Sequence, residues 1–562
     1  MGGFPDFLKT TTTMKKLSLL LIVLLAMVSA EAANAFYNVR DYGAKGDGSN
    51  IDSHAINTAI EEASKNGGGT IYLPAGTYMS YSIRLKSNIS IYLDHGAVLK
   101  AAVPNEKEHY DLPEDNPHDD YQDFGHSHWK NSLIWGIGLH DVSIQGFGLI
   151  DGSDGITRGQ AKMNGHPAAN KAIALKECRN VTIRDISMLK CGHFAMLLTG
   201  VDNLTIDNVR CDTNRDAFDI DCCANVRVSN CQVNTMNDDA IVLKCSYGLG
   251  YAKATENVTI TNCHVSGYDT GTMLDGTYQK TQKQAPDRDG PTGRIKLGTE
   301  SNGGFKNITI SNCTFDHCRG LALETVDGAI IEDVTIDNIA MRDICNSPIY
   351  IRLGNRARGP KELPVSVVRR VKLSNISVKD ADCRYASIIF GLNGHPIEDV
   401  TLSNIHIQYR GGLTMDDVKW QRGANPFFTS RNRAVNHVKG KRERIEDKNE
   451  QAAERDPYAV PQMEKGYPEP SSHGILPAYG LFISNAKNVK VDNVEFETVK
   501  EDKRPAIVLM NVEDVKFSDM RADKADEAPY FVLKGVKDFE VKDVQGIKDR
   551  EIASAEDMEI RK

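Results

Sequence analysis

A short pattern recurs down the chain and narrows the folds open to it. Each copy opens on Asn or Asp, alternates apolar and polar residues, and often carries a second Asn before another apolar residue. The copies read NVTIRDISM from Asn180, NLTIDNVRC from Asn203, NVRVSNCQV from Asn225, NVTITNCHV from Asn257 and NITISNCTF from Asn307, then DVTIDNIAM from Asp333, DVTLSNIHI from Asp399, NVKVDNVEF from Asn488 and DVKFSDMRA from Asp514. Alternation within a copy marks a strand with one buried face. The closest copies lie about 22 to 26 residues apart, and a fixed period of this size marks a solenoid. One coil of a parallel β-helix, three short strands with their turns, has this length. A leucine-rich repeat shares the period, but its Leu signature is missing. A β-sandwich does not account for so many copies of one pattern. Asn in successive coils is expected to stack as a hydrogen-bonded ladder at a bend, because its side chain satisfies turn backbone groups. The expected fold is all-β: a single parallel β-helix over residues 36–562.

A solenoid needs its open end covered. DSHAINTAIEEASKNGGG sets Ala55, Ile56, Ala59, Ile60 and Ala63 on one helical face and ends at Gly67, so a capping helix is expected there. No GKS or GKT follows these glycines, which excludes a phosphate loop. Wider gaps between copies mark long loop insertions at residues 104–130, 267–293 and 411–478. The last carries the charge run KGKRERIEDKNEQAAERD, read as a solvated loop face.

The chain's 562 residues and 40% hydrophobic content suit a large soluble core, and a net charge of −9 with no sustained basic face excludes nucleic acid as a partner. MKKLSLLLIVLLAMVSAEAANA, from Met14, reads as a secretory signal with cleavage after Ala32 or Ala35. The apolar run is short for a bilayer. No cysteine stands near the cleavage point to take a lipid. A periplasmic or secreted monomer without a membrane anchor is expected. All 12 cysteines fall between Cys178 and Cys383, many in the repeat contexts SNCQV, TNCHV and SNCTF. They read first as small stacked core residues and second as disulfides, which export permits. Their spacing suggests no zinc site.

Chemistry concentrates at VNTMNDDAIVLK, where Asp238 and Asp239 immediately precede an apolar strand. Neighbours in a strand point to opposite faces, so one carboxylate would enter the core, where an unpaired charge is costly. The chain must bend here, or the site must use the pair. Asp216, in CDTNRDAFDIDCC, lies 22 residues upstream of Asp238, one coil by the local period. The three aspartates can therefore share one face of the solenoid. Clustered carboxylates push one another's pKa values apart, which gives the acid and base that glycoside hydrolysis needs.

These residues carry a resemblance to glycoside hydrolase family 28, the polygalacturonase and rhamnogalacturonan hydrolase family. VRDYGAKGDGSNIDSHAINTAI, GGGTIYLPAGTY and LIDGSDG resemble its opening segments, NRDAFDI its Asn-Thr-Asp motif, and NDDAIVLK its Asp-Asp motif. The resemblance implies a right-handed parallel β-helix that hydrolyses galacturonosidic bonds with inversion. It implies Asp238 as general acid, Asp216 and Asp239 as holders of the attacking water, and no metal or other cofactor. Asn214, which opens the first motif, joins the candidate substrate contacts.

Two departures from the family pattern are informative. Where polygalacturonases carry Gly-His-Gly, this chain has TGRIKLGTESNGG, with Gly293 near the histidine position. Arg294-Ile295-Lys296 imitates the family's Arg-Ile-Lys motif but falls one rung early; at the expected rung, Ala322 and Glu324 stand in for the basic residues. Glu324 would repel a galacturonate carboxylate, so a neutral leaving-side sugar is expected, such as rhamnose in rhamnogalacturonan. Cations for the substrate carboxylate are then sought among Arg294, Lys296, Arg352, Arg356 and Arg358, since Arg forks suit carboxylates. Lys244 follows the Asp pair and is expected to line the cleft. His193 reads as a core histidine ahead of a site residue.

The 104–130 and 411–478 insertions resemble the walls of exo-acting relatives, a fold-level analogy. The leading expectation is exo-release of galacturonic acid from rhamnogalacturonan fragments, followed by an exo-polygalacturonase. A calcium-dependent pectate lyase and a non-catalytic polysaccharide-binding β-helix are the readings from other classes.

Overall fold

The structure is a computed structural model that describes residues 36–562 except 123, 160, 282–289, 421–435, 439–440 and 444–453. The proposed leader and its cleavage sites lie outside the described residues, as does most of the charge run. No helix among the described residues is long and apolar enough to cross a membrane.

Successive coils pair in parallel and in register. Val181 lies beside Leu204, Leu204 beside Val226, Val226 beside Val258 and Val258 beside Ile308. These side chains fill one continuous core that runs the length of the coil. The Asn ladder forms at the bend that opens each copy. Asn203 donates to Asn180 at 3.0 Å, Asn257 to Asn225 at 3.2 Å and Asn307 to Asn257 at 2.8 Å. Each adopts a positive φ, 56° at Asn180 and 55° at Asn203, a conformation that Asn tolerates better than most side chains. The repeat thus supplies both the turn and the hydrogen bonds that hold one turn to the next.

The capping helix α1 spans Ser53–Lys65 and buries Ala55, Ile56, Ala59, Ile60 and Ala63. At the opposite end Arg550–Ile560 returns antiparallel along Phe531–Val544. An exposed edge strand invites pairing with another chain, and this reversal covers the last parallel strand. The cysteines are free thiols, most of them buried. Cys231, Cys263 and Cys313 each donate to the carbonyl two residues earlier, at 3.1, 3.3 and 3.2 Å. They are stacked core residues, as the repeat context suggested.

One sheet positions the chemistry. Its strands are β1 (Phe194–Thr199), β2 (Phe218–Asp221), β3 (Ile241–Cys245), β4 (Ile295–Ser301), β5 (Leu321–Thr325) and β6 (Ile349–Leu353). Leu198, Ile220, Leu243, Leu297, Leu323 and Ile351 point into the main core. The alternate residues face outward, where two loops cover them. Trp129 of the 104–130 loop packs on Leu197 of β1 and Ala174, and its Nε1 donates to Thr199 at 3.2 Å. Leu476 and Ala478 cover Ala322 and Tyr350 on the later rungs. Between these walls the outward positions hold charges: Asp219, Lys244 and Lys296.

Candidate functional site

Asp216 and the pair Asp238–Asp239 sit in the bends that lead into β2 and β3, not within the strands. The bend resolves the conflict of adjacent charges. Asp238 keeps a partly exposed side chain, while Asp239 turns inward to two cations. Arg294 Nε lies 2.9 Å from Asp239 Oδ1 and Lys296 Nζ 3.2 Å from Oδ2. The backbone amide of Asp239 donates to Asp216 Oδ1 at 3.1 Å, which ties the two rungs together. One oxygen from each of Asp216, Asp238 and Asp239 lies within 4.8 Å of the others. The three aspartates singled out by spacing therefore meet at one point.

They line a pocket of about 60 Å³ with His126, Arg215, Lys244, Lys296 and Tyr467. That space is ample for a water molecule among several polar partners. Behind it lies a buried charge network. Lys244 Nζ stands 2.9 Å from Asp219, 3.4 Å from Asp216 and 3.5 Å from Glu300. His126 Nε2 approaches Asp219 at 2.9 Å and also contacts Lys244. Arg358 closes on the far side of Glu300 at 2.5 Å. Burial, then the adjacent Asp238 charge, pushes the Asp216 carboxyl well above the ordinary Asp value. Burial works against Glu300 as well, but Lys244 and His126 outweigh it and hold its carboxyl well below the Glu value. Lys244 is raised despite burial, because Asp219, Asp216 and Glu300 surround it.

The expected substrate contacts divide. Lys244 and Lys296 line the pocket. Arg294 is buried one layer behind, shared between Asp239, Glu324 at 3.7 Å and Glu469 at 3.4 Å. Asn214 lies beside the site, half-buried, and donates to Thr270 at 3.4 Å. Arg352 corrects the expectation. It is buried, lies against the Phe390 ring, and donates to the carbonyls of Phe390 and Gln462. It anchors the loop that holds Gln462. Arg356 is likewise committed, with Nε 3.0 Å from Asp327 Oδ1. His193 is half-buried, with Nδ1 bonded to the Arg158 carbonyl at 2.7 Å, and burial lowers its pKa well below the ordinary value.

Glu324 also departs from expectation. It is fully buried between Arg294 and Lys296 and does not line the pocket. Neither of its oxygens accepts a hydrogen bond among the described residues. Burial pushes its pKa up to about 7 against the pull of Lys296 and Arg294. It cannot repel a sugar it does not face, so the argument from Glu324 to a neutral leaving-side sugar falls. The Gly293 departure has a packing cause. A Cβ at Gly293 would stand 2.1 Å from the Ser266 carbonyl oxygen, so no histidine fits there. Register places Lys296 directly beside Val242 of β3 and Ala322 beside Lys296.

Several site residues escaped the sequence reading. Asp219 was legible as a charge in the buried strand FDID. Glu300 ends GRIKLGTE, close to the cations already chosen. Arg215 stands between Asn214 and Asp216. His126, Tyr467 and Glu469 come from the insertions, and nothing local gives them away. Tyr467 OH meets Lys296 Nζ at 3.2 Å, and Glu469 bonds Arg319 at 3.0 Å. A metal could be held by Asp216, Asp238 and Asp239, or by His126, Asp216 and Asp219, each set lying within 4.8 Å.

Comparison with known proteins agrees with this architecture. Residues 36–109 match the family described as rhamnogalacturonase A/epimerase, pectate lyase-like, and residues 128–284 match the right-handed beta helix region. A probable polygalacturonase of Vitis vinifera is 24% identical over 373 residues, covering 57% of this chain and 74% of that one. The plasmin and fibronectin-binding protein A of Streptococcus pneumoniae is 28% identical over 283 residues, 46% of this chain and only 36% of that one. The crystal structure of an exopolygalacturonase from Thermotoga maritima superposes with a TM-score of 0.53 at 20% identity, over 66% of this chain and 87% of that one. The chain is a right-handed parallel β-helix with sequence similarity to polygalacturonases.

Proposed function

We propose that this protein is an inverting glycoside hydrolase that acts on pectic oligosaccharides and releases galacturonic acid from a non-reducing end. The observation that carries this reading is the meeting of Asp216, Asp238 and Asp239 in a pocket backed by paired cations. A water held by Asp216 and Asp239 attacks the anomeric carbon. The bond from that carbon to the glycosidic oxygen breaks as Asp238, the aspartate most open to the pocket, gives the oxygen a proton. Asp216 accepts the proton from the water, which its raised pKa favours, and returns it to Asp238 across the pair.

Two features support rhamnogalacturonan-type substrates over homogalacturonan. Gly293 replaces the histidine that polygalacturonases carry, and the first segment matches the family described as rhamnogalacturonase A/epimerase. The covering segments around Trp129 and around Leu476 and Ala478 support exo action.

The test is chromatographic product analysis on two substrates in parallel: an oligogalacturonide, and a rhamnogalacturonan oligomer with galacturonate at its non-reducing end. Free galacturonate from the second alone is expected. Release from the first alone would return the protein to homogalacturonan. An unsaturated, ultraviolet-absorbing product abolished by EDTA would replace the hydrolase with a metal-dependent lyase. The likeness to the streptococcal binding protein favours a second reading, binding without turnover. That reading requires D238N to leave wild-type behaviour unchanged.

A further inference from the structure

Four cationic side chains line the pocket, and three are committed to buried acids. Lys244 faces Asp216, Asp219 and Glu300, and Lys296 faces Asp239 and Glu324; their side chains are 6% and 2% exposed. His126 lies against Asp219. Arg215 differs. Its Nη2 stands 2.5 Å from Asp238 Oδ2, and the two side chains are 21% and 20% exposed. The pocket's most accessible cation is therefore clasped to the carboxylate that has to deliver a proton.

This arrangement contains a conflict. A guanidinium favours the ionised form of a carboxylate beside it, whereas protonation of a leaving oxygen needs a carboxylic acid. A ligand carboxylate resolves the conflict by exchange. A guanidinium suits any carboxylate, so an anionic sugar can take Asp238's place on Arg215. Once released, Asp238 faces Asp216 and Asp239, two like charges that favour its protonation. The other groups near the pair are Lys244 and the rings of His126 and His193.

We propose that Arg215 is the receptor for the uronate carboxylate of the substrate, and that capture of this carboxylate frees Asp238 to act as the proton donor. The pair is then a latch that only an acidic sugar opens. This deepens the hydrolase reading and rests on it. It also gives a reason for Arg where the resembling motif has Thr.

The test compares a galacturonate-terminated oligosaccharide with the same compound methyl-esterified at that carboxyl. Wild-type kcat/KM is expected to favour the acid by about ten- to a hundredfold, the range of a hydrogen-bonded charge. R215Q should level the two substrates, and R215K, which keeps charge but loses the fork, should keep part of the preference. Thermal melts followed by circular dichroism confirm folding of each variant, and R215K carries the comparison if R215Q does not fold. Calorimetric titration with galacturonic acid and its methyl ester reads the same discrimination without turnover. A wild type that hydrolyses, with an acid-to-ester ratio unchanged in R215Q, overturns the latch and leaves the hydrolase intact. A wild type that binds the acid through Arg215 but cleaves neither compound overturns the hydrolase and leaves the anion site standing.

Discussion

The Asp239 amide donates to the Asp216 carboxylate across one rung, at 3.1 Å. This bond sets the spacing between two acids that neighbour a third, and it uses the backbone to do so. Asp216 is thereby fixed at the point where burial and Asp238 together raise its pKa. Replacing it by Asn keeps the acceptor oxygen and removes the charge. D216N should lose about a thousandfold in kcat, within the general acid–base range of 10² to 10⁴, with near-native circular dichroism.

Activity should fall as pH rises through the pKa of the Asp216–Asp238 pair. One shared proton is present below that value and lost above it. The kcat/KM profile should therefore show a basic limb above the ordinary Asp range. Loss of the limb in D216N, measured on the residual activity, would tie it to this pair.

Glu324 predicts a stability effect of stated sign. Its folded pKa, about 7, exceeds the ordinary Glu value of 4.5. Its contribution to stability is therefore full below about pH 4.5 and lost as pH rises through 7. E324Q should match the wild type at pH 4.5 and exceed it by roughly 2–3 kcal/mol at pH 8, read from urea unfolding at both pH values.

Lys244 faces Asp216, Asp219 and Glu300 with its side chain only 6% exposed. Removing one partner from a buried ion cluster leaves uncompensated charge. K244M should cost about 3–5 kcal/mol, and adding D219N should recover part of it. Additive losses in a double-mutant cycle would show that the two do not share a network.

Arg352 and Glu469 should act on the covering loop. Arg352 holds the Gln462 carbonyl, and Glu469 bonds Arg319 and Asn346. R352M and E469A should each speed hydrogen exchange across residues 458–478 and raise KM more than they lower kcat. A fall in kcat alone for R352M, with exchange unchanged, would restore it as a contact near the reacting atoms.

The stereochemistry is open to a direct check. Inverting enzymes mostly hold their carboxyl groups about 6.5–9.5 Å apart, whereas these three bring oxygens within 4.8 Å. The water must then be cradled between Asp216 and Asp239. Proton NMR of the first turnover should show the anomer opposite to the bond cleaved; the same anomer would mean a covalent intermediate on one aspartate.

The fold was legible because a solenoid repeats its instructions. Alternation in each copy set the strands, and Asn180, Asn203 and Asn225 marked equivalent bends. The Asp216–Asp238 register followed from the same period. The covering residues were not legible, because the Trp129–Thr199 bond and the Glu469–Arg319 pair depend on tertiary closure of insertions, which no periodicity encodes. Glu324 misled for a related reason: its rung was identified, but whether its side chain faced solvent or two cations depended on packing. Arg352, on β6, and Arg356, just beyond it, suit a carboxylate by residue type, but local carbonyl and carboxylate partners consume both.

The coil accepts large detours at little thermodynamic expense. Val400 pairs with Val489, 89 residues on, as regularly as Val489 pairs with Val515, 26 residues on. Loop-closure entropy grows only with the logarithm of length, so the longer excursion costs about 1 kcal/mol more than an ordinary turn of the coil. The wall over the later rungs is thus a nearly independent part, mounted on a chassis whose register does not depend on it. Exchanging that wall would re-cut the range of accepted substrates while the three aspartates kept their places.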